Sequence, residues 1–110
     1  QVEGKISALD VQFASFAAAA ERYKKDHNNN CVGFTNTAAE TGYYVPAQVF
    51  SDGNPWGGAY TVRVLAGVAD TCEVFVDGLP VGLINRLAAR YNQSYTQSIN
   101  IADTWLSVRF

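Results

Sequence analysis

Methionine is absent from these 110 residues, histidine occurs once and cysteine twice. A lone histidine, His27, with no second ligand pair at useful spacing argues against a metal site. Charged residues make up only 16% of the chain, and a formal net charge of −2 leaves neither sign dominant. Nothing here is basic enough to track a phosphate backbone, which argues against a nucleic-acid module. No apolar run reaches the roughly 20 residues needed to cross a bilayer, and no secretory leader is visible. Internal repeats and low-complexity stretches are missing too. A start without Met suggests upstream sequence, lost by processing or truncation, and any targeting segment is expected there.

What is present is the composition of one folded domain, residues 1–110, with 48% hydrophobic and 13% aromatic residues. Weak charge beside many aromatics suits a surface packed against other protein. Residues 1–28 read as one long helix. Ile6, Leu9, Phe13, Phe16, Ala17, Ala20 and Tyr23 recur at offsets of three and four, so they share one face. The helix should end between Asp26 and Asn30, where two lysines suit the helix dipole and asparagines tolerate left-handed backbone. Residues 29–58 read as loop-rich, with short extended pieces around Gly42–Val45 and Gln48–Phe50, closing in the turn-dense run Ser51–Gly58.

Two strands follow. Tyr60, Val62 and Val64 alternate with Thr61, Arg63 and Leu65; Cys72, Val74 and Val76 alternate with Glu73, Phe75 and Asp77. The short Gly67–Asp70 run between them predicts an antiparallel hairpin. Gly78-Leu79-Pro80 breaks the second strand and opens a short helix near residues 80–91, striped by Leu83, Ile84, Leu87, Ala88 and Tyr91. Residues 92–98 are polar and carry no clear period. The tail alternates again, with Leu106, Val108 and Phe110 opposite Trp105, Ser107 and Arg109, and predicts a last strand. The expected fold is α+β, a long N-terminal helix on a small antiparallel sheet, with the sheet and second helix over 59–110.

Few residues hint at chemistry. Cys31 and Cys72 fit either one disulfide or two free thiols; the bridge is favoured, and it implies an oxidising compartment. It would tie the helix end to the sheet and add about 2–4 kcal/mol. His27 is a candidate general base by type, yet in Lys24–Asn30 it reads as a solvated helix end beside Asp26. Ser51-Asp52 and Asp70-Thr71 lack a nucleophile elbow or oxyanion signature. Asp52 and Asn54 offer oxygen ligands for calcium without EF-hand spacing, so a plain turn is expected. Asn92-Gln93-Ser94 matches a glycosylation triplet, a pattern common by chance. Tyr43, Tyr44, Trp56 and Tyr60 suit either a sugar platform or, as favoured here, packing. Phe13, Phe16 and Ala17 to Ala20 form the candidate subunit-packing surface, because alanines let another backbone come close. No catalytic, cofactor or metal residues are assigned.

Three segments resemble type IV pilins and the related pseudopilins. Phe13–Asn29 is similar to the C-terminal half of the pilin spine helix. Asn54–Val62, NPWGGAYTV, resembles the Asp-Pro-Trp-Gly run at the start of the sheet in major pseudopilins. Val74–Ala88 resembles the strand, Gly-Leu-Pro break and helix of type IVb pilins. The resemblance implies a non-enzymatic filament subunit, major or minor, whose upstream apolar half-helix anchors it first in the inner membrane and then in a filament core. Its partners would be other copies and the pilus assembly machinery, its path the periplasm and its destination the cell surface. Alternatives are a type II secretion pseudopilin, or a small periplasmic or secreted binding domain of cystatin-like plan. The last predicts a deep apolar pocket beneath the helix.

Overall fold

A computed structural model describes residues 2–110. The first helix, α1, runs Val2–Asp26. At 1.5 Å per residue its length is about 37 Å, close to the 39 Å long dimension of the molecule. Ile6, Leu9, Phe13, Phe16, Ala19, Ala20 and Tyr23 are its buried residues. Ala19 thus replaces Ala17 on the expected stripe, a drift of the kind that 3.6 residues per turn produces over six turns. Glu3 in the first turn and Lys24 and Lys25 in the last complement the helix dipole. The helix stops where Asn28 and Asn29 adopt φ of 56° and 60°, left-handed values that asparagine tolerates.

The region expected to contain extended pieces is helical instead. Ala39–Tyr43 forms a 3-10 turn and Ala47–Asp52 a short helix, α2, entered through Pro46. Proline at that position holds φ near −60° and needs no donor, so it suits a helix start better than a strand.

Four strands make one antiparallel sheet in the order β1-β2-β4-β3: β1 Tyr60–Leu65, β2 Val68–Val76, β3 Thr96–Asn100 and β4 Trp105–Arg109. Two hairpins therefore lie side by side, each giving its second strand to the centre. The first hairpin turns at Ala66-Gly67, tighter than the expected Gly67–Asp70 loop, and Gly67 supplies the positive φ of 79°. A bulge follows at once: Val64 faces Cys72 while Leu65 faces Val68. Helix α3, Val81–Tyr91, joins the hairpins and buries the five residues its stripe predicts. Strand β3 is an addition to the three strands read from sequence.

The core lies between α1, α3 and the inner face of the sheet. Phe13 meets Tyr91 edge-on at 4.7 Å, and Phe16 meets Tyr60 at 5.1 Å. Val62, Cys72, Val74, Val76, Leu106 and Val108 close the layer from the sheet. Ile6, Leu9, Phe13 and Phe16 of α1 pack directly on this layer. No helix among the described residues is long and apolar enough to cross a membrane.

Candidate assembly surface

The long helix offers two faces with opposite fates. Phe13, Phe16, Ala19 and Ala20 are closed to solvent by the protein's own core. They are removed from the expected subunit-packing surface, leaving Ala18 exposed and Ala17 half-buried. Contacts between subunits need residues that the fold has not already consumed. The residues directly opposite the core are Gly4, Ser7, Val11, Ala14 and Ala18, all exposed. At 100° per residue they fall within one narrow stripe. None is charged and four are small. Sequence reasoning missed this stripe because it looked for apolar periodicity, and small residues on a solvent face give none.

Beside the stripe, Ala8, Val11 and Gln12 of α1 face Asp52–Pro55 and Tyr60 across an open groove of about 450 Å³. The Tyr60 hydroxyl at its floor is buried and has no hydrogen-bond partner among the described residues. Burial pushes its pKa up to about 12, so it stays a neutral donor.

Two of the three segments that carry the resemblance are joined by a hydrogen bond, and the third meets them through Phe16 on Tyr60. Asn54 folds the 54–58 turn by accepting from the amides of Trp56 (2.9 Å) and Gly58 (3.3 Å) through its side-chain oxygen. Its amide nitrogen donates to the Asp77 carbonyl at 2.6 Å, where β2 leaves the sheet. Gly58 lies so close that any Cβ there would collide with the Asp77 carbonyl oxygen. The turn and the Gly78-Leu79-Pro80 break are thus one structural joint. The Asn54 oxygen is engaged by two amides and Asp52 by Gln48 (2.6 Å), so the turn is built as a backbone scaffold.

Cys31 and Cys72 form a disulfide, with Cα atoms 5.4 Å apart. It sits at the β2 bulge, where the Cys31 amide also donates to the Ala69 carbonyl at 2.7 Å. The remaining candidates are scattered. Ser51 donates to Gln48 O, Thr71 to Asp70, and His27 lies against Tyr23 and Glu40 at the far end of α1. The aromatics separate as well: Tyr44 stands edge-on to Tyr23, Tyr60 packs on Phe16, and Tyr43 is exposed. They form no shared platform.

Two charged clusters escaped sequence analysis because their members meet only after folding. On the outer face of the sheet, Glu73 is buried and accepts from Arg63 (3.5 Å), Arg109 (3.2 Å) and Ser107 (3.2 Å). Arg63 also lies 4.3 Å over the ring of Phe75. Between the helices, Asp10 accepts from Arg90 at 2.5 and 3.0 Å and from Tyr91 at 2.6 Å, and Glu3 pairs with Arg86. The Arg90 hydrogen bonds hold the Asp10 carboxyl below the usual carboxylate range despite partial desolvation. Both clusters are internally paired and read as clamps. Among the described residues, no three His, Cys, Asp or Glu side chains converge as a metal site.

No protein-family model, no curated protein and no solved structure matches the chain.

Proposed function

We propose that the chain is a pilin-like structural subunit that assembles through α1. The supporting observation is the division of that helix. Its apolar face is consumed by the domain's own core, while the opposite face presents an uncharged stripe of small residues, Gly4 through Ala18. Small residues let helices approach with main chains close together, so dispersion contacts accumulate over a long seam. A helix serving only its own domain has no need of this; its solvent face would carry charge, as α1 does at Glu21, Arg22 and Lys25. The joint between the Asn54–Gly58 turn and Asp77-Gly78 adds support, since two segments of the resemblance cooperate in one structural role. On this reading an apolar upstream segment continues the helix and supplies the membrane anchor.

Expressed with its native upstream segment, the protein is expected in the membrane fraction and in filaments sheared from cells. A product that stayed soluble in the cytoplasm would sink the proposal. The double substitution Ala14→Glu, Ala18→Glu should abolish filaments while leaving the melting temperature of the domain within a few degrees, because both sites are exposed. Filaments that survive it would remove the stripe from the assembly surface.

A further inference from the structure

The end of α1 is built around the one histidine. His27 follows the last helical residue, and its amide turns back to Lys24 O at 3.2 Å. The Tyr23 carbonyl, four residues back, is met instead by the histidine ring: Nδ1 lies 2.7 Å from it. Across the ring, Nε2 lies 2.8 Å from a carboxylate oxygen of Glu40 in the Ala39–Tyr43 turn. Both partners are acceptors. A neutral imidazole has one N–H and serves only one of them, leaving the second nitrogen lone pair to lone pair with oxygen. The imidazolium donates to both.

The rest of the surroundings favour that cation. The ring stacks on Tyr23 at 3.8 Å and 8°, which fixes its plane. It sits at the negative end of the helix dipole. Asp26 is the adjacent carboxylate, and its side chain accepts from the Tyr44 hydroxyl at 2.6 Å. Among the neighbouring cations, Lys24 reaches away to Phe110 O at 3.2 Å and Arg22 to Tyr44 O at 3.0 Å.

We propose that His27 is a proton-operated clasp: its imidazolium pins the Ala39–Tyr43 turn to the end of α1, and deprotonation loosens that turn. The His27 pKa is raised, first by the bond to the Tyr23 carbonyl, which outweighs the opposing desolvation, and then by Glu40 and Asp26. A raised folded-state pKa fixes the sign. The clasp contributes fully below the ordinary histidine value of about 6.5 and is lost as pH rises through the raised value. The flanks stay fixed, since Cys31 is bridged and Phe34 and Val45 are buried. What loosens is therefore the short stretch between them, which keeps its own anchors in the buried Thr41 and the Tyr44–Asp26 bond, and not the domain.

The test is a proton NMR titration of His27 with amide exchange over residues 38–44, from about pH 5.5 to about pH 8.5. It uses the native chain, Glu40→Gln and His27→Gln. In the native chain the midpoint should lie above about 6.5, and Glu40→Gln should shift it down. Protection of the 38–44 amides, corrected for intrinsic exchange, should fall through that midpoint and become independent of pH in His27→Gln. A midpoint at or below the ordinary value, unchanged protection across it, or the same loss in His27→Gln overturns the proposal. Glu40 is exposed, so its variant is expected to fold, and the titration of the native chain is decisive by itself.

Discussion

Both faces of the central strands contain buried residues, but they are closed by opposite means. On the inner face Val74, Val76, Leu106 and Val108 are shut off by apolar packing beneath α1 and α3. On the outer face Glu73 and Ser107 are buried by side chains of the sheet itself, through Arg63, Arg109 and the Phe75–Trp105 pair at 5.1 Å. The inner face is held by volume, so removing atoms costs stability wherever it occurs. The outer face is held by pairing, so the cost depends on which partner is left without its complement. Leu106 and Ser107 are neighbours on one strand and sample the two regimes one residue apart.

That contrast can be broken by experiment. The largest effect is expected from Leu106→Ala, a loss of about 2–5 kcal/mol in denaturant unfolding with an unchanged m-value. Next comes Glu73→Ala, which strips Arg109 and Ser107 of their acceptor. About 1–3 kcal/mol is expected by the same measurement, and a loss equal to that of Leu106→Ala would erase the distinction between the faces. Arg63→Ala should cost less than about 1 kcal/mol, because its side chain is 57% exposed and Glu73 keeps its other donors. Raising salt should shrink even that difference. Smallest of all, Tyr60→Phe should be neutral or slightly stabilising, since it deletes a buried hydroxyl that bonds nothing among the described residues. A clear destabilisation in a thermal melt would show that the hydroxyl is satisfied after all.

How much of this was legible beforehand follows the same division. Alternation in β1, β2 and β4 sorted their residues onto the two faces that the sheet presents, because burial on one face leaves a period of two. Helix α3 was equally plain from its stripe. Strand β3 was not, since Thr96–Asn100 has a single apolar residue, Ile99, and that one is exposed. The 3-10 turn and α2 were misread as extended because five or six residues are too few to show a helical period. Pairing was invisible for a different reason. Alternation sets Glu73 opposite Cys72, Val74 and Val76, and nothing local says that Arg63, ten residues before it, and Arg109, on another strand, will cover it. The candidate surface on α1 fell between these cases. The residues chosen were those with the strongest apolar signal, and the core had claimed Phe13, Phe16, Ala19 and Ala20. Small residues are informative only once the other side of the helix is known to be occupied.

The bridge at Cys72 has a mechanical consequence. The chain leaves α1, reaches Cys31 within a few residues and crosses covalently to β2, whose Cys72 exchanges backbone hydrogen bonds with Phe110 at 3.1 and 2.9 Å. Tension applied along α1 therefore passes straight into the central strands. The covalent path bypasses residues 32–71, and β1 joins it only through its pairing with β2. A domain wired this way can be pulled by its helix with the load entering the sheet at Cys72, ahead of the segment that the bridge bypasses.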